Sequence, residues 1–153
     1  MLKRLQHKIP PPLWGVIVGL SMWFLALNLP LYSVELRWLK PLAMLIGGVG
    51  VSIDLYSVFL FFRAKTTINP LKPSASTLVT SGMYRFSRNP MYLGMLLILC
   101  GWGLYLATLS ALFLLPVFVL IINKLQIEPE EQMLHQIFPE QFPSFCRRVR
   151  RWM

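Results

Sequence analysis

Four long apolar runs alternate with polar stretches along this chain, and the pattern predicts membrane-crossing helices over residues 13–31, 41–62, 90–106 and 109–125. A polar connection covers 63–89 and a polar tail 126–153. The expected fold is all-α: a polytopic membrane protein of four transmembrane helices in one domain over 1–153, with a cytoplasmic or interfacial helical tail. The third and fourth runs meet at Ala107-Thr108-Leu109-Ser110, and each is short for a full crossing. Tilt, local thinning or extension past Lys124 is therefore required. Pro116 predicts a kink in the fourth run, because it cannot donate to the preceding turn.

Small residues punctuate the second and third runs. Gly47, Gly48 and Gly50 lack the preceding strand and acidic partner of a nucleotide-binding loop, so they suggest close helix packing. Gly94, Gly101 and Gly103 suggest the same for the third run. Asp54 is the only acid within any apolar run. An ionisable group at that depth faces protein or a water-filled cavity, as a hydrogen-bonding strut or as a functional group.

Composition supports the membrane class. The chain has 153 residues, is 56% hydrophobic and 14% charged, and carries net charge +9. Cys100 and Cys146 form neither a disulfide framework nor a metal spacing, and with only His7 and His135 no metal is expected. The basic start resembles the outline of a signal peptide, but no small-residue cleavage site follows, so it reads as a cytoplasmic flank. Lys and Arg cluster before the first run, between the second and third, and after the fourth, whereas only Arg37 and Lys40 fall on the other side. The positive-inside rule then places both termini and the 63–89 connection in the cytoplasm. The Arg-rich end with Trp152 suggests an anchor to anionic headgroups; four spans argue against nucleic acid as its partner.

The stretch 77–94, TLVTSGMYRFSRNPMYLG, carries the chemistry. Asn89 is a good N-cap and Pro90 suits the first helical position, so a helix is expected to start there with Arg85 and Arg88 beside its free N–H groups. Such a start can hold an anionic group, or it simply opens a transmembrane helix. The connection before it is too long for a tight turn, so it is functional or else disordered; Pro70 and Pro73 exclude a continuous helix through its centre. After the fourth run, Pro129 predicts a new helix with Glu130 and Glu131 in its first turn, where the acids serve either capping or a site.

The segment SGMYRFSRNPMYLG, with the acid pair and the ending FPEQFPSFCRRVRRW, resembles the isoprenylcysteine carboxyl methyltransferase family, part of a group of membrane methyltransferases that includes phospholipid N-methyltransferases. The likeness covers about residues 66–153. It implies S-adenosylmethionine as cofactor, bound without a Rossmann fold. By resemblance Ser76, Thr77, Leu78, Val79 and Tyr84 would line its pocket, with Asn89, Pro90, Met91 and Tyr92 on its adenosine or methionine portion. Glu130 would bind its polar groups, with Arg88, Glu130 and Glu131 as the catalytic candidates and Glu131 directed elsewhere, towards Arg88 or His135. A sulfonium is a cation that aromatic faces and carboxylates stabilise, and the cofactor's own carboxylate needs Arg or N–H donors.

The departures from the family pattern matter. Asn89 replaces a common His and supplies no imidazole base, and Pro139, Phe142 and Phe145 replace a Gly and two Tyr. A carboxylate acceptor is already nucleophilic at neutral pH, whereas an ammonium must first lose a proton, which favours carboxyl methylation. Gln126, where eukaryotic members place a substrate-side Arg, weakens the likeness to enzymes acting on prenylated proteins. The acceptor is thus a lipophilic small molecule or lipidated substrate. Phospholipid or amine N-methylation, a sterol-reductase-like NADPH enzyme and a non-catalytic membrane protein are the alternatives.

Overall fold

The computed structural model describes residues 9–33, 36–67 and 77–153, and its described residues are mostly helical, with one isolated bridge between Ser33 and Thr108. Helix α1 spans Pro11–Asn28, α2 Leu39–Arg63 and α3 Pro90–Leu106. Then come α4 at Leu109–Leu112, α5 at Leu114–Ile122, a π-helical turn at Asn123–Ile127, and α6 at Glu128–Ile137. Helix α7, Gln141–Arg148, ends the helical tail, and a 3₁₀ turn, Gly82–Arg85, lies in the connection.

Among the described residues, three helices are long and apolar enough to cross a membrane: Pro11–Asn28, Leu39–Arg63 and the continuous Leu109–Ile137. The 17-residue α3 is shorter. It is the central post, with α1, α2, α4 and α5 packed around it. Its closest neighbour is α2, and glycine is the reason. A Cβ on Gly50 would lie 2.6 Å from the Gly94 carbonyl oxygen, and one on Gly101 2.6 Å from that of Ala43. Gly47 is approached through its backbone by Gly101, while a Cβ on Gly48 would meet nothing within 4 Å. Close packing thus explains Gly50, Gly94 and Gly101 but not Gly48.

Several boundaries differ from expectation. Helix α1 begins at Pro11 and ends at Asn28, because prolines fit a first turn and Pro30 stops continuation. The fourth run is not followed by a new helix at Pro129; one helix continues through it to Ile137. Pro129 cannot donate to Leu125, and the backbone just before it takes a wider turn in which the Glu128 N–H reaches the Asn123 carbonyl. The break expected from Pro116 falls at Phe113, next to Leu112, whose carbonyl that proline leaves unbonded.

Two apolar clusters result. One lies among α1, α3, α5 and the π turn, around Met22, Phe118, Ile122 and Ile127, all fully buried. The other forms a cap from the end of α2, the connection and the tail, around Leu60, Val79, Tyr84, Phe142 and Phe145. Phe142 and Phe145, which replace hydroxyl-bearing residues of the family pattern, are core residues of this cap.

Candidate functional site

Between the two clusters lies a cavity of about 440 Å³, within the range of small-molecule sites. Segments distant in the chain build it, among them the end of α2 at Phe61. The first turns of α3 contribute Asn89, Met91, Tyr92 and Met95; the connection contributes Thr77, Leu78, Val79, Tyr84 and Arg88. Helix α6 contributes Glu130, Glu131 and Leu134, and the tail adds Phe138, Phe142 and Phe145. Pro10, Pro11 and Pro12 close the remaining wall, held down where Gln126 Nε2 donates to the Ile9 carbonyl at 2.8 Å.

The adjacent acids separate. The Tyr92 hydroxyl donates to Glu130 Oε1 at 2.7 Å. Glu131 instead lies between two guanidinium groups: Arg88 at 3.2 Å and Arg151 at 2.6 Å, with a second Arg151 contact from Nε at 3.3 Å. Successive helical residues point about 100° apart, so the two acids, although both line the cavity, take different partners. The hydrogen bond to Glu131 pushes the Arg151 pKa up, against an opposing effect of burial. Burial pushes the Tyr84 phenol up, and the charges of Glu130 and Asp54 add to it.

The C-terminal segment locks this arrangement. The Arg88 N–H donates to the Arg150 carbonyl at 3.0 Å, and Asn89 Nδ2 and Ser87 Oγ donate to that of Arg151 at 3.0 and 3.3 Å. Trp152 Nε1 donates to Asn123 Oδ1 at 3.2 Å, and Arg88 also contacts Cys146 Sγ. Asn89 occupies the cap position of α3 but makes no side-chain cap bond, because its amide is turned to the tail. Likewise Arg151 and Trp152 are half-buried, paired with Glu131 and Asn123, while Arg147, Arg148 and Arg150 remain exposed.

The expected site residues are thus brought together, with particular exceptions. Pro90 is buried behind the wall rather than lining it, and Arg85 is exposed and does not line the cavity. His135 does not meet Glu131; its ring packs edge-on against Phe142 at 4.8 Å. Ser76 lies outside the described residues. Nothing in the sequence marks the N-terminal prolines as a wall of the cavity or Arg151 as a partner of Glu131. A run of three prolines beside a membrane helix is a generic flank, and a basic tail has many uses.

The cavity's polar groups fit a zwitterionic, net cationic ligand such as S-adenosylmethionine. With Glu131 neutralised by its arginines, Glu130 is the acid left facing the space. Arg88 Nε is buried without a hydrogen-bond partner among the described residues, a donor suited to a carboxylate. Phe61 and Tyr84, packed edge to face at 5.6 Å, supply aromatic surface. Among the described residues, no three His, Cys, Asp or Glu side chains are grouped to hold a metal ion.

A family model described as phospholipid methyltransferase matches residues 38–141. A protein of Haemophilus influenzae described as uncharacterized is 40% identical over 63 residues, covering 41% of this chain and 100% of its own length. The cobalt-zinc-cadmium resistance protein CzcN of Cupriavidus metallidurans is 30% identical over 112 residues, 73% of this chain and 49% of that protein. This chain thus spans about half the length of the second relative.

Proposed function

The chain belongs to the phospholipid methyltransferase family, and on that premise we propose that it is an integral membrane enzyme transferring a methyl group from S-adenosylmethionine to a lipophilic acceptor. Family membership implies the methyltransferase class, and the apolar helices mark an integral membrane protein. The observation that carries the finer proposal is the division of labour between Glu130 and Glu131. One wall of the cavity keeps a carboxylate with a single tyrosine donor, while the neighbouring carboxylate is committed to two arginines.

When bound, S-adenosylmethionine supplies an electrophilic methyl group on a positively charged sulfur. In this proposal Glu130, held by Tyr92, offsets positive charge on the ligand, and Arg88 Nε receives its carboxylate. Tyr84 and Phe61 offer aromatic faces to a cation or a purine. The proline wall and the cap keep water from the reacting atoms, and the rigid start of α3 holds the geometry that a displacement needs. The distribution of Lys and Arg supports a cytoplasmic site, where this cofactor is made.

The test is a titration of detergent-purified protein with S-adenosylmethionine and, separately, with NADPH, followed by incubation with methyl-labelled cofactor and either total lipid or farnesyl-cysteine analogues. Saturable binding of S-adenosylmethionine and label in a lipid-soluble product are expected. Binding of NADPH with none of S-adenosylmethionine would replace this function with a reductase.

A further inference from the structure

The segment 149–153 has two sides. Val149 is buried in the cap cluster, and Arg151 and Trp152 are bonded to Glu131 and Asn123. The backbone works to the same end: the Arg150 carbonyl accepts from the Arg88 N–H, and that of Arg151 accepts from Ser87 Oγ and Asn89 Nδ2. The segment thereby fixes the residues that lead into α3, among them Arg88, whose Nε is the unpaired donor at the cavity. Arg150 itself is exposed, as are Arg147 and Arg148 at the end of α7.

These three exposed guanidinium groups, within four residues of chain, form no ion pair or hydrogen bond with a described residue. The described acids are engaged elsewhere. Glu128 pairs with Lys124, Glu130 with Tyr92 and Glu131 with Arg88 and Arg151, and Asp54 lies against the α3 backbone. Glu140 precedes α7, about 10 Å along the helix axis from Arg147. The counter-charge must therefore come from outside the chain, and position says from where. The segment is tied to residues 87–89, directly before the apolar α3, so it lies at the level where that helix enters the membrane. Arg85 and Phe86, just ahead of those residues, are exposed, Phe86 by 69%, and at the end of α2 Phe62 is 74% exposed beside an exposed Arg63. Exposed phenylalanine beside arginine suits a headgroup boundary, with the ring at the acyl edge and the charge among phosphates.

We propose that Arg147, Arg148 and Arg150 form a docking surface for anionic phospholipid headgroups of the surrounding bilayer, and that the bound lipid holds the C-terminal segment closed on the candidate cofactor site. Guanidinium groups recognise phosphate oxygens through paired N–H donors. A ligand shifts the segment towards its docked position only by preferring that position. The preference has a cause: docking fixes the three cations in one array, whereas a free segment must first be ordered. Arg150 carries both contacts, the headgroup on its side chain and Arg88 on its carbonyl, so lipid binding reaches the cavity through one residue. The consequence for cofactor affinity rests on the proposed methyltransferase function; the docking surface does not.

The test places the full chain in nanodiscs of phosphatidylcholine, alone or with about one-third phosphatidylglycerol, and compares wild type with the triple variant Arg147→Gln, Arg148→Gln and Arg150→Gln. Hydrogen exchange at residues 149–153, read by mass spectrometry, reports docking, and calorimetry reports S-adenosylmethionine affinity. In wild type phosphatidylglycerol should slow the exchange about fivefold and tighten cofactor binding by a similar factor, with neither effect in the triple variant. Should the triple variant undock in phosphatidylcholine alone, the double variant Arg147→Gln and Arg148→Gln, which leaves residue 150 intact, gives the same comparison. No response in wild type, or an equal response in wild type and variants, overturns the proposal. A full response to soluble glycerophosphate in phosphatidylcholine nanodiscs overturns the bilayer as partner, and slowed exchange with unchanged cofactor affinity overturns the coupling. Slowed exchange in a wild type that binds no S-adenosylmethionine at all would instead overturn the cofactor assignment and leave the docking surface standing.

Discussion

The Tyr92 hydroxyl donates to Glu130 at 2.7 Å, joining the first turn of α3 to α6 across the cavity. Tyr92 is 7% exposed, so the bond is made away from bulk water. Replacing Glu130 by Gln keeps the shape and removes the charge. It should weaken S-adenosylmethionine binding by about 1.5–3 kcal/mol, the range for a hydrogen bond to a charged group. Isothermal titration in detergent, with thermal melting as a control for folding, measures this. Affinity equal to wild type would leave the acid pair as a helix start only.

Glu131→Gln should behave differently. The substitution leaves Arg88 and Arg151 without their shared carboxylate, and these side chains are 15–34% exposed, between the buried and surface limits. A loss of about 1–3 kcal/mol of stability is expected, with cofactor affinity changed less than in Glu130→Gln. Melting curves of the two variants side by side give the comparison.

Asn89 tests the docking of the tail. Asn89→Ala removes the bond to the Arg151 carbonyl and should cost about 1 kcal/mol. In a chain ending at Arg150 the same substitution should cost close to nothing, because its partner is already gone. Equal costs in both backgrounds would show that Asn89 acts through another contact. Asn89→His, the family's common residue, should remain folded.

The glycines of the α2–α3 contact give a contrast within one interface. Gly101→Ala places a methyl group against the Ala43 carbonyl and should destabilise by about 1–3 kcal/mol. Gly48→Ala meets open space and should be neutral or stabilising by up to about 1 kcal/mol, since alanine is the better helix former. Thermal melting in one detergent ranks them.

Sidedness is tested with a reporter active only outside the cytoplasm. Fused after Met153 it should be silent, and inserted near Glu35 it should be active. Activity at Met153 would place the site on the side opposite to the cofactor's source.

Much of this architecture is legible in residue order alone. The Asn-Pro step at 89–90 marks the start of α3 because proline suits a first turn, where its missing N–H needs no partner, and the apolar run carries α3 to Leu106 as expected. The resemblance in 77–94 and the acid pair identifies the segments that meet around the cavity, since those side chains are chemically distinctive. What the chain order does not carry is the assignment of partners. Asn89 reads as a cap but bonds a backbone carbonyl 62 residues away, and any residue at position 151 would present that carbonyl. The resemblance separates Glu130 from Glu131 and directs the second towards Arg88, but only the phase of the helix emerging from the π turn gives Glu130 to Tyr92 and adds Arg151 to Glu131. Asp54 stands out as an acid in an apolar run, yet its place against the backbone of α3 exists only because Gly50 and Gly94 let α2 and α3 approach within backbone contact. Periodicity and local chemistry set the helices and their ends; contacts between distant segments, many through backbone atoms common to every residue, decided which side chain serves the site.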